Sequence, residues 1–213
     1  MNKYLPLLAG VSLACVGSIA SADQFLNLEA NFMNGAVFVP LFTQIDTNLD
    51  GTADKLQMRF NVYTAGTTTK TLSTKPRAGA YPADPCTNSS SINRDFSVRF
   101  AGAISTARRH MIIDMYTECW ESGTGELKEA HTAVLYSAKV VSGTGAGSSW
   151  VKNWNGWQVL GSTGVDWDSD GTTEMMLSMT KDVSNSTKAR NLFIQMSDGT
   201  IEADNIYTAG IAQ

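Results

Sequence analysis

Two acidic segments constrain this chain more than anything else in it: "DTNLDGTAD" (Asp46 to Asp54) and "DWDSDGTTE" (Asp166 to Glu174). In each, a carboxylate or amide falls at positions 1, 3 and 5, a glycine at position 6 and a carboxylate at position 9. Charges packed so closely repel one another unless something positive sits between them. Alternate side chains in a tight loop can converge on one point, and Gly51 and Gly171 permit the sharp reversal that needs positive φ. Each segment then runs straight into an alternating apolar stretch, "KLQMRFNVYT" or "MMLSMT". The pattern reads as a cation cradle at a reversal between two extended strands.

The donors set the ion. The second loop offers Asp166, Asp168, Asp170, Glu174 and the backbone carbonyl of Thr172. The first offers Asp46, Asn48, Asp50, Asp54 and the carbonyl of Thr52. Hard oxygens in a flexible loop favour Ca²⁺, which takes about 6–8 of them at about 2.3–2.6 Å, over Mg²⁺ with its stricter octahedron. An EF-hand would need a Glu at its twelfth position and flanking helices. Gln57 and Leu177 stand there instead, and the residues around them alternate as strands do. The bland alternative is a pair of plain Asp-Gly turns. A bound ion in such a loop would neutralise the carboxylates and fix the turn, a structural role.

Helix signals are scarce elsewhere. "RDFSVRFAG" (from Arg94), "HMIIDMYTE" (from His110), "HTAVLYSAKVV" (from His131) and "NLFIQMSDGTIEADNIY" (from Asn191) are rich in β-branched and aromatic residues and bounded by turn formers. "SDGT" (Ser197 to Thr200) splits the last into a hairpin. The expected fold is all-β and mostly antiparallel, one domain over 23–213, arranged as propeller-blade-like repeats or as a β-sandwich. The segment from Thr74 to Ser91, with Pro76, Pro82 and Pro85, reads as a long loop, and "SGTGAGSS" (Ser142 to Ser149) as a flexible turn. Three stretches align, starting at Asp50, Ile104 and Asp170, each a loop followed by an alternating strand. Spacings of 54 and 66 residues suggest propeller blades or similar β-units. The middle copy has lost the acidic residues and carries Arg108 where the others carry Asp54 and Glu174, so Arg108 is expected to hold carboxylates there in place of a cation.

The run D-x-[DN]-x-D-G-x-x-[DE] into an apolar strand, preceded in the second copy by "GWQVLGSTG" (Gly156 to Gly164), resembles the calcium loops of FG-GAP and VCBS-type repeats, the blades of integrin-like propellers. The resemblance covers about 25 residues around the second loop and about 15 around the first. It implies calcium loops between strands and a role in adhesion or surface binding. Glu174 departs from the usual Asp at position 9, and the chain is too short for a full propeller, so a fragment, a distorted sandwich or closure by oligomerisation must fill the gap.

The first 22 residues read as a secretory signal: Lys3, a short apolar segment, and a small-x-small cleavage site at Ala20-Ser21-Ala22. Lipidation at Cys15 is the competing reading. No other segment is long and apolar enough for a transmembrane helix. An exported, periplasmic, extracellular or cell-surface protein keeps Cys86 and Cys119, an even pair expected to form one disulfide. With 16 basic against 20 acidic residues and no basic run, nothing suits nucleic acid. Trp150, Trp154, Trp157 and Trp167 cluster, with Trp120 apart. They are either core anchors or a platform for a glycan or protein partner. Catalytic signals are thin. His110 and Asp114 share a strand face, but no nucleophile elbow, H-E-x-x-H or P-loop accompanies them. "NSS" at Asn88 and "NST" at Asn185 match glycosylation acceptors and read as coincidence in a bacterial-style chain. The expected function is a calcium-binding β-repeat protein acting as a binding or surface-interaction module. The alternatives are an extracellular hydrolase with structural calcium and a self-assembling envelope protein.

Overall fold

The computed structural model describes residues 23–24, 31–33, 36–64, 66–103, 108–141, 145–183, 186–195 and 199–210. The expected signal segment and Cys15 lie outside them. The described residues form strands and loops with no helix, in three antiparallel sheets. The first holds β1 (Asp23–Gln24), β2 (Asn31–Met33), β3 (Ala36–Ile45), β4 (Lys55–Thr64), β5 (Lys70–Ser73) and β6 (Arg77–Ala80). The second is a meander of β7 (Ser89–Ala103), β8 (Arg108–Glu121), β9 (Leu127–Val141) and β10 (Gly145–Asn155). The third is a meander of β11 (Gln158–Val165), β12 (Glu174–Val183), β13 (Ser186–Ile194) and β14 (Ile201–Gly210). The all-β, antiparallel expectation is met.

Two expected connections differ from the structure. The proline-bearing segment after Thr74 contains β6, which pairs with the first half of β4 while β5 pairs with the second half. Thr74 makes that change of partner possible. Its amide donates to the Phe60 carbonyl (2.8 Å), its hydroxyl accepts from the Phe60 amide (2.8 Å), and the same hydroxyl lies 2.7 Å from the Tyr136 hydroxyl in the second sheet. No backbone group of Phe60 is left unpaired at the break. In the glycine-rich turn, β10 already starts at Gly145, and the irregular composition appears as a register shift between Ala146 and Ser149.

The second sheet is buried on both faces. Met111, Ile113 and Met115 of β8, with Phe96, Val134 and Tyr136, pack against Phe42, Leu56, Met58, Phe60 and Val62 of the first sheet. The intervening Ile112, with Ala133, Leu135 and Trp154, packs against Trp157, Val159, Met175, Leu177, Met179, Leu192 and Ile194 of the third. A strand covered on both sides loses the apolar–polar alternation. That is why β8 reads Met-Ile-Ile at its centre rather than alternating.

The three aligned copies occupy equivalent places. Each leads into the second strand of its sheet's hairpin: β3–β4, β7–β8 and β11–β12. The alignment sets Leu56 and Met58 level with His110 and Ile112, and Gln57 level with Met111 and Leu177. The first-sheet face that meets the second sheet is thus the counterpart of the second-sheet face that meets the third. The sheets stack in one sense, front to back. The middle connection, 104–107, and the side chain of Arg108, with the role expected for it, lie outside the described residues.

The Cys86–Cys119 disulfide is formed, tying the segment before β7 to β8 across a separation of 33 residues. On the chain-entropy estimate it contributes about 3–4 kcal/mol. Ile112 and Ile113 are both fully buried, in different cores. Ile112→Ala and Ile113→Ala should each cost about 2–5 kcal/mol in urea unfolding. A strand with one wet face would show a large loss for only one of them.

Candidate metal centre

The two acidic loops join β3 to β4 and β11 to β12, and they adopt one conformation. In the first, Asp46 Oδ2 accepts from the Gly51 amide (2.8 Å), Asn48 Oδ1 from Asp50 (3.2 Å), Asp50 Oδ1 from Thr52 (2.7 Å) and Asp54 Oδ2 from Thr47 (2.8 Å). In the second, Asp166 Oδ2 accepts from Gly171 (3.1 Å), Asp168 Oδ1 from Asp170 (3.2 Å), Asp170 Oδ1 from Thr172 (2.7 Å) and Glu174 Oε2 from Trp167 (3.2 Å). Position for position, the four bonds are the same. The glycines at position 6 have φ of 90° and 85°. Position 4 is also left-handed, at 63° for Leu49 and 62° for Ser169. Neither Leu nor Ser favours that region, so the sequence held no signal of it.

The loops differ in where the position-nine carboxylate goes. Glu174 is fully buried. One oxygen each of Asp166, Asp168 and Glu174 lie within 4.8 Å of one another. Two ligands of one calcium at about 2.4 Å can be at most about 4.8 Å apart, so this trio fits a single ion. Of the expected set, Asp170 turns to the amide and hydroxyl of Thr172, and Glu174 Oε1 lies 2.9 Å from the same hydroxyl, whose single proton the two carboxylates share. Those bonds from Thr172, side chain first, hold the Asp170 carboxyl below the usual range.

Both oxygens of the position-nine carboxylate have partners in each loop, but in the first loop one partner is a cation. Asp54 Oδ2 takes the Thr47 amide and hydroxyl, and Oδ1 pairs with Arg94 Nη1 at 3.2 Å. The Thr47 hydroxyl, the Thr47 amide and the Arg94 charge together hold the Asp54 carboxyl below its ordinary value. Asn48 Nδ2 is spent on Asp50 Oδ2 (2.9 Å). No carboxylate trio converges there among the described residues.

Trp167, at position 2 of the second loop, is 41% exposed. Its ring packs on Phe193 at 4.9 Å and its Nε1–H donates to Glu202 (3.2 Å), so the loop is pinned to β13 and β14. Trp154 and Trp157 are core residues, and Trp120 is 47% exposed. The side chain of Trp150 lies outside the described residues. A further acid–cysteine group, Asp84 with Cys86 and Cys119, offers no thiolate because the cysteines are bonded to each other.

A second polar feature lies beside the second sheet: a cleft of about 250 Å³ lined by Ser97, Asp114, Tyr116, Glu118, Glu129, His131 and Gln158. Asp114, 1% exposed, is held by His131 Nδ1 (3.1 Å) and by the Val159 amide of the third sheet (3.4 Å). Sequence reasoning placed Asp114 with His110 and missed His131, because strand register, which it cannot supply, brings the pair together. Ser97 is the cross-strand neighbour of Asp114, not of His131. The ring nitrogens of His131 go to Asp114 and Glu129, so among the described residues the imidazole of this cluster does not bridge Asp114 to Ser97 as in an acyl-transfer triad.

Burial opposes the charge on His131, but the carboxylates of Asp114 and Glu129 outweigh it and raise the imidazole pKa. Stability from this contact is full below the unfolded value of 6.5 and is lost as pH rises through the higher folded value. His131→Asn should therefore lower the melting temperature more at pH 6 than at pH 8.5, and an equal loss at both would rule out a charged His131. Comparison with known protein families, with curated proteins and with solved structures finds no match for this chain.

Proposed function

We propose that the loop from Asp166 to Glu174 binds one calcium ion, which locks the β11–β12 hairpin of an exported binding or surface-interaction module. The observation that carries the reading is the full burial of Glu174 beside Asp166 and Asp168, with no basic side chain paired to any of them among the described residues. Carboxylates gathered without a counter-charge are costly, and an ion accepting hard oxygens removes that cost. The resemblance of the loop to FG-GAP and VCBS-type repeats supports the same ion. The disulfide supports an oxidising compartment. No helix among the described residues is long and apolar enough to cross a membrane.

Support for an interaction role comes from the surface. Trp120 and Leu127 are direct cross-strand partners and are 47% and 43% exposed. An exposed aromatic–aliphatic pair is the kind of anchor that partner surfaces use. The ion's part is architectural: it holds the loop that carries Trp167 against Phe193 and Glu202.

Saturating calcium should raise the melting temperature over that in EDTA by about 5–10 °C, from about 2.7 kcal/mol at 100-fold over Kd in a domain of this size. Glu174→Gln should abolish the response. Identical melting in EDTA and in millimolar calcium would sink the reading.

A further inference from the structure

The two loops share a backbone conformation, yet their surroundings differ in a way the front-to-back stack explains. Arg94 lies on β7 in the second sheet, on the same strand face as Phe96, which packs into the core against the first sheet. From there its guanidinium reaches across to the first loop, donating to the Ala53 carbonyl (3.4 Å) and to Asp54 Oδ1 (3.2 Å). The contact is largely sheltered, with the two side chains 18% and 22% exposed. The second loop belongs to the third sheet, the last of the stack, so no following sheet exists among the described residues to send an arginine to Glu174.

We propose that Arg94 takes the place of a cation in the first loop, which leaves the second as the metal-dependent loop of the pair. The guanidinium supplies the positive charge, satisfies one oxygen of the position-nine carboxylate and ties the β3–β4 hairpin to the second sheet. An arginine serves this well because it stays charged and its fork of donors matches oxygen acceptors. The other Asp54 oxygen is held by Thr47. In the second loop position 2 is Trp167, which cannot make the hydroxyl bond, and the Glu174 carboxylate instead turns toward Asp166 and Asp168. The first loop is therefore closed by an internal ion pair and the second by an added ion. The assignment for the second loop rests on the calcium reading above; that for the first does not.

Calcium titration of the full chain by calorimetry separates the two. The unaltered protein should bind one calcium per chain. Arg94→Gln should open the first loop and raise the number to two, while Arg94→Lys keeps it at one. An unchanged number in Arg94→Gln, or two ions in the unaltered protein, would overturn the proposal. No ion in the unaltered protein but one in Arg94→Gln would refute the second loop as a calcium site and uphold the exchange of Arg94 for a cation. Should Arg94→Gln fail to fold, Asp54→Asn decides: its calcium number should equal that of the unaltered protein, and a lower number would place an ion in the first loop.

Discussion

Everything in this fold depends on the burial of the second sheet on both faces. Met111, Ile113 and Met115 seal one core and Ile112 with Ala133 and Leu135 seals the other. A four-stranded antiparallel sheet with one wet face has only one hydrophobic surface to bury. With two, β8 becomes the element to which both outer sheets are fastened. Polar contacts between layers follow the same geometry. Thr74 meets Tyr136 on one side, and Asp114 accepts the Val159 amide on the other.

The stack also decides the electrostatics of the loops. Because the layers repeat in one sense, β7 of the second sheet passes beside the first loop, and its Arg94 meets Asp54. The third sheet has no successor among the described residues, and its loop gathers Asp166, Asp168 and Glu174 with no such partner. Turns of one backbone conformation thus have different counter-charges because of where they sit, and Thr47 against Trp167 at position 2 adds to the difference. Arg94 itself lies on β7, the strand that precedes the middle copy, whose loop sequence has lost the acidic residues.

Much of this was legible before any coordinates. The repeat of D-x-[DN]-x-D-G-x-x-[DE] fixed the positions of two matching turns, and the strands that follow them were expected from alternation. The Cys86–Cys119 pair followed from the even count. Other features were not legible, for physical reasons. Arg94 sits 40 residues from Asp54, and only strand register and layer order join them. His131 and Asp114 meet diagonally across β8 and β9, a placement that shifts with every residue of register. The left-handed Leu49 and Ser169 are non-glycine residues in a glycine-favoured region, held there by the surrounding hydrogen bonds. The run after Thr74 looked like pure loop because its prolines conceal a short edge strand, which β4 accepts at its outer margin where proline costs little.

The most direct measurement is anomalous diffraction from crystals grown with calcium. One peak per chain is expected, about 2.3–2.6 Å from oxygens of Asp166, Asp168 and Glu174, and none in the first loop, where the Arg94–Asp54 contact stays intact. A peak between Asp46, Asp50 and Asp54 with Arg94 displaced, or no peak at either loop, would contradict it.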